Sequence, residues 1–430
     1  MTNINNMLHF LDASPTAFQA IDNMTKMCLE KGFKELKENE LFNLEKGGKY
    51  FITRNKTSFL AFKVGKELNE PSFNIAASHS DCPSFKVKPN GVISDKFSRL
   101  NTEVYGGPLY NPWLDRPLSL AGRIIIKEGN KIISKNFVLD EDFCIIPSVA
   151  IHMNRDANNG FKMNPQADLL PLVSDKKDFD IKAYLADKND ILKENLVGYD
   201  LYLYPRQKAY LWGHEKQFFS SFHIDNLECA YTTLVAFLES ENEHNINVYA
   251  CFDNEEVGSL TRQGADSDFL ARNLKDIADS LSFSYSKALA DSMLLSCDNA
   301  HASHPNHPEK DDPTNHTYMN QGVVVKYNAN QSYTSDGLSA AIFTSLLDEH
   351  KIPYQYFTNR SDMRGGSTLG NISNGQVSLL SLDIGLPQLA MHSPLETAGV
   401  KDVESMIDAV KVFYSIHLKM HEDGTYQLLK

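Results

Sequence analysis

The chain has 430 residues, long enough for one large domain or two around a sizeable core. Its 42% hydrophobic and 23% charged residues are ordinary for a globular protein, and 55 acidic against 42 basic residues leave a formal charge of −13. That surplus argues against a nucleic-acid or anionic-membrane partner, and no apolar run is long enough to span a membrane. The opening MTNINNMLHF lacks the basic flank and apolar stretch of a secretory signal, so a cytoplasmic location is expected. Cys28, Cys82, Cys144, Cys229, Cys251 and Cys297 are scattered without a CxxC and are expected to be free thiols. Cys82 and Cys297 lie beside candidate site residues but read as small packing residues.

In chain order, Ser14–Pro15 reads as a helix start, with Phe18, Ile21, Cys28 and Leu29 on one apolar face and Gly32 as the stop. FLAFKVG and SFNIAASHSD read as strands, the second ending on polar residues. From about residue 93 to 218 short strand-like pieces such as LAGRIIIKEG and LVGYDLYLYP alternate with Gly, Pro and Asp-Asn turns, which predicts a largely β segment. After FHIDNLECAYTTLVAFLES, whose second half is helical, strands (NINVYACF, SMLLSC, VSLLSLDIG) alternate with helices (GLSAAIFTSLLDEHK, DVESMIDAVKVFYSIHLKM). That alternation predicts an α/β fold with helices on both faces of a sheet. The expected layout is a discontinuous catalytic domain, residues 1–92 and 219–430, with an inserted β-rich segment, residues 93–218.

NVYACFDNEEVGS raises a chemical question: a buried strand runs straight into Asp253, Asn254, Glu255 and Glu256. Adjacent glutamates at a strand's end either solvate a turn or hold something positive. Similar strand or helix ends carry His79 and Asp81, Asp225, Asp298, and His392. In open α/β sheets ligands bind beyond the carboxyl ends of the strands, so residues far apart in sequence can converge there. Two histidines with several carboxylates suit a pair of zinc-type ions, one carboxylate bridging both. A leftover glutamate would serve as general base, and Asp81, two positions from His79, can accept that ring's second N–H.

SHSDCPSFKVKP, VYGGPLYNPWLDRPLSLAGR, IPSVAIHMNR, DNEEVGS, DNAHASHPN and QLAMHSPLETAG occur in that order along nearly the whole chain. In these motifs the chain resembles the aspartyl-aminopeptidase family of dinuclear metallo-exopeptidases. The resemblance implies a mixed-sheet α/β zinc-exopeptidase domain with an inserted β-rich dimerisation domain. It implies Asp225 as the bridging ligand, followed by a cis peptide bond, His79 and Asp298 on one metal, Glu256 and His392 on the other, and Glu255 as the base. It further implies that His152, in the insert, reaches a neighbouring subunit's site. His301 and Lys326 would face the substrate, beside a glycine-rich SDMRGGST loop carrying Asp362 and Met363. The His79-Ser80-Asp81-Cys82 context and the Met363-Arg364 pair depart from better-known members, and the departure bears on the preferred residue, not on the metal set.

The resemblance therefore implies an aminopeptidase acting on peptides and favouring acidic N-termini, with two divalent ions per subunit: zinc, or else cobalt or manganese. It implies dimers assembling into a closed tetrahedral dodecamer, with no nucleic-acid or membrane partner. The rival readings are a two-metal deacylase or carboxypeptidase and a catalytically silent scaffold.

Overall fold

The computed structural model describes residues 3–363 and 365–429. Its largest element is a nine-stranded mixed sheet. The central strands Ile246–Phe252, Phe73–His79, Met293–Cys297 and Leu380–Gly385 lie side by side and run parallel. The first three are buried along their whole length, as expected for parallel strands covered on both faces. Side chains alternate between two cores: Tyr249 and Cys251 face one, while Val248, Ala250 and Phe252 face the other. Helices Ala17–Glu30, Ile224–Glu239, Gly337–His350 and Val400–Tyr414 cover the first face. Helix Phe269–Ser280 packs on the second. Because the four central strands are parallel, their carboxyl ends gather on one edge, and Phe252 pairs directly with His79 there.

A second sheet, six-stranded and antiparallel throughout, takes in strands between Ser84 and Pro205 and has its own core around Trp113, Leu120 and Leu203. It starts before the expected residue 93 because Ser84–Ser94 is one long strand that leaves the catalytic edge directly after Asp81. It ends before 218, since Tyr210–Trp212 and Phe218–Ser221 join a separate five-stranded sheet with Glu396–Gly399, Pro387–Leu389 and Ala300–His301.

Three local expectations change. The first long helix begins at Ala17 with Thr16 as its N-cap residue, and Asn3–Asp12 forms a helix ahead of it. The stretch expected to be helical through Met420 stops at Tyr414, where helical periodicity ends and Ile416 and Leu418 become buried in alternation. His417–Glu422 is instead a strand, paired with Thr425–Leu429 around an Asp423-Gly424 turn in which Gly424 takes φ +80°. Around His152, where the apolar run Val149, Ala150 and Ile151 reads as strand interior, the chain is instead a turn, with Met153 N and Asn154 N both donating to Ala150 O. Among the described residues no helix is long and apolar enough to cross a membrane.

Candidate active site

Strand ends deliver most of the site. His79 is the last residue of its strand, Asp298 follows Cys297 directly, and Glu255 and Glu256 open a short 3-10 turn just past Phe252. Asp225 stands at the start of helix Ile224–Glu239, where it and Asn226 leave helical geometry and the Asp225–Asn226 peptide bond is cis. His392 comes from the loop before strand Glu396–Gly399 and adopts φ +70°. These six residues line one cavity of about 360 Å³, together with His301, Lys326, Tyr333, Phe357 and Thr368.

The two carboxylate oxygens of Asp225 face different histidines. Oδ1 lies 3.4 Å from His79 Nε2, and Oδ2 lies 3.5 Å from His392 Nε2. Asp298 Oδ1 stands 3.7 Å from the first imidazole and Glu256 Oε2 stands 3.5 Å from the second. Each ring's other nitrogen is engaged: His79 Nδ1 with Asp81 O at 3.0 Å, His392 Nδ1 with Gly107 O at 3.0 Å. Both Nε2 atoms are thereby left to face the cluster.

This donor set fits divalent zinc. Two ligands about 2.0–2.1 Å from a tetrahedral zinc stand about 3.3–3.4 Å from each other, close to the spacings seen here. His79, Asp225 and Asp298 form one group whose ligand atoms lie within 4.8 Å of one another; Asp225, Glu256 and His392 form another, and Asp225 belongs to both. Asp225 Oδ1 and Glu256 Oε1 are buried and make no hydrogen bond, as expected of oxygens aimed at a cation.

Electrostatics point the same way. Burial and the facing carboxylates push Glu256 well above the usual carboxylate range, and lift Glu255 to about 8 against the pull of His79. Burial opposes charge on His392, yet Asp225 and Glu256 raise it to about 10; His79 is raised in the same sense by Asp225, Asp298 and Asp81. The imidazoles are being asked to supply positive charge that the carboxylates require.

Other expected residues divide. Asp81 is a hub: Oδ1 accepts the Glu255 N–H at 3.1 Å, Oδ2 accepts the Glu256 N–H at 3.2 Å, and Oδ1 lies 3.3 Å from His79 Nδ1. Lys326 lines the cavity from an interior strand, and its Nζ donates to the main-chain carbonyls of Asp298 at 2.7 Å and Asn299 at 3.3 Å, so its ammonium steadies the Asp298 loop. Asp362 does not line the cavity; it is exposed and paired with Arg360 at 2.8 Å, and Gly366, Ser367 and Thr368 of the same loop take that place. Met363 lines an adjoining cavity of about 300 Å³ that shares His301 and Phe357. Arg364 lies outside the described residues. His152 is exposed and absent from its own chain's site. Cys297 is buried and Cys82 half-buried, both free.

Sequence reasoning missed Glu396. It is fully buried and its two oxygens accept the main-chain N–H groups of Asp225 at 2.9 Å and His392 at 2.7 Å. Its only sequence signal is a carboxylate inside the short apolar strand that follows His392.

Comparisons with known proteins agree with this geometry. The family described as aminopeptidase I zinc metalloprotease (M18) matches residues 10–414. The Probable M18 family aminopeptidase 2 of Clostridium novyi (strain NT) is 43% identical over 426 residues, covering 96% of this chain and 98% of the relative. Among solved structures, an Ape4 chain from the cryo-EM structure of the Ape4 and Nbr1 complex superposes with a TM-score of 0.92 at 32% identity, covering 96% of this chain and 85% of that one. A chain of the S. cerevesiae mApe1 dodecamer superposes with a TM-score of 0.83 at 25% identity, covering 95% of each. With its ligand-like cluster at the carboxyl edge of a mixed sheet and a family match over nearly its whole length, the chain belongs to the M18 zinc metalloproteases and is a metallo-aminopeptidase.

Proposed function

We propose that the enzyme removes N-terminal residues from peptides with two divalent ions per subunit, Asp225 being shared between them. The observation that carries this reading is the division of the Asp225 carboxylate, one oxygen toward each histidine. His79 and Asp298 would complete one position, Glu256 and His392 the other. Zinc bound there supplies Lewis-acid polarisation of a carbonyl and a lowered water pKa.

The remaining work falls to side chains of this chain. Glu255 lies in the cavity, its main chain anchored on Asp81, and takes the proton of the attacking water, then returns it to the leaving amine. His301 at the cavity wall is placed to meet the N-terminal side chain, for which an acidic preference is part of this reading, while Lys326 acts on the Asp298 loop.

The six-stranded sheet is the dimerisation element in this reading. Its loop exposes Val149, Ile151, Met153 and Phe161, an apolar run that supports burial against another copy and delivery of His152 to that copy's site. The dodecameric relative supports a homo-oligomer that closes as a dodecamer, and the acidic composition suits a cytoplasmic enzyme.

Assay of Asp, Glu and Leu anilides, each with a free and an N-acetylated amine, with zinc, cobalt or manganese added, tests the reading. Turnover of free amines alone is expected, fastest on Asp or Glu. Release of acetate from the acetylated series, with the anilide bonds of the free amines left intact, would make the enzyme a deacylase and overturn it.

A further inference from the structure

We propose that Tyr105-Gly106-Gly107, at the end of a strand of the six-stranded sheet, is a clamp that positions both halves of the metal centre in its own chain. Tyr105 acts through Asp81 and Gly107 acts through His392. The proposal rests on the metal-centre reading above and deepens it.

The connectivity explains the reach. Strand Ser98–Tyr105 pairs antiparallel with Ser84–Ser94, and Tyr105 sits opposite Ser84, just beyond the His79–Asp81 turn. Its side chain points back along that turn, and the hydroxyl donates to Asp81 Oδ2 at 2.7 Å. The same hydroxyl accepts from Asn254 Nδ2 at 2.8 Å, and the ring packs edge-on against Tyr202 with centroids 5.5 Å apart. Asp81 in turn faces His79 and holds the main-chain N–H groups of Glu255 and Glu256. One phenol therefore fixes the carboxylate that holds the whole glutamate turn, on the residue whose main-chain oxygen takes His79 Nδ1.

Two residues later the same segment reaches the other half. Gly107 O accepts from His392 Nδ1 at 3.0 Å, and Leu109 N donates back to His392 O at 3.0 Å, gripping that residue by ring and main chain. The contact sets the tautomer that leaves Nε2 facing Asp225 and Glu256. Between them, Gly106 takes φ +70°, and a Cβ there would come 3.1 Å from Glu256 Cβ and 3.4 Å from Pro83 Cα. The backbone passes so close to Glu256 that only a glycine fits without moving it. A shift of the six-stranded sheet against the nine-stranded one would therefore disturb both half-sites together.

Two variants test the clamp, with zinc affinity measured by competition against a chromophoric chelator and kcat and KM measured on an aminoacyl anilide. Tyr105→Phe removes only the hydroxyl and keeps the ring on Tyr202; Gly106→Ala presses a methyl group against Glu256. Both are expected to weaken zinc about tenfold to a hundredfold and to lower kcat by a similar factor, with KM little changed. Thermal unfolding of the chelated Tyr105→Phe protein is expected to match wild type. Wild-type zinc affinity and kcat in either variant overturns the clamp, whatever the change in Tm. Failure of the wild-type protein itself to bind zinc would overturn the metal-centre reading instead.

Discussion

Glu396 holds Asp225 by its backbone: the buried carboxylate accepts the Asp225 N–H at 2.9 Å. The other oxygen takes the His392 N–H at 2.7 Å, so one side chain ties together two proposed ligands that are far apart in sequence. Glu396→Ala leaves both N–H groups buried without a partner, at about 1–3 kcal/mol each. Chemical denaturation is expected to show a loss of roughly that sum, and metal analysis reduced zinc retention; Glu396→Gln, which keeps one acceptor oxygen, should lose less of both. Equal stability of wild type and Glu396→Ala would remove this residue from the account.

The glutamate pair tests the proposed division between base and ligand. Glu255→Gln is expected to retain metal while turnover falls by about 10²–10⁴, because it removes a proton acceptor and no ligand. Glu256→Gln should lose part of the metal. Asp225→Ala should deplete both positions and Asp298→Ala mainly one. Metal analysis after dialysis reads all four; metal loss in Glu255→Gln with full retention in Glu256→Gln would exchange the two roles.

His152 tests the oligomer. It is exposed and outside its own chain's cavity, so it matters to catalysis only if another subunit receives it. His152→Ala is expected to keep its metal and assembly but to lose about a hundredfold or more in kcat, the usual cost of one donor to a developing oxyanion. Mixed oligomers with Glu255→Gln subunits should recover activity, since each chain supplies what the other lacks. Proven mixed oligomers without recovery would confine His152 to a structural role.

His223 predicts a pH limit on stability. It is buried, its Nδ1 lies 3.1 Å from Ser14 O, its Nε2 makes no hydrogen bond, and burial pushes it down to about 3 from an ordinary 6.5. Between those values the unfolded chain binds the extra proton, so stability is lost as pH falls below 6.5, by at most about 1.4 kcal/mol per pH unit. His223→Asn tolerates the φ of +65° and does not titrate there. Its Tm is expected to fall less steeply than wild type between pH 6.5 and pH 4, roughly the limits of that titration; parallel slopes would assign the acid sensitivity to other groups.

Much of this protein was legible in its residues. NINVYACF and SMLLSC are short, largely apolar runs that read as interior strands, and the acidic and imidazole residues just beyond such runs pointed to the carboxyl edge of the sheet. Patterns of this kind survive in sequence because each depends on a few neighbouring residues and their periodicity. Only the tertiary structure decided that the Asp225 oxygens point at two different imidazoles, that Glu396 ties Asp225 to His392, and that Tyr105 returns from another sheet to hold Asp81. It also placed His152 on an exposed turn and gave Lys326 two carbonyl partners. These are orientations and long-range hydrogen bonds, set by how separate strands and helices pack, and no local periodicity encodes which oxygen of a carboxylate faces which ring.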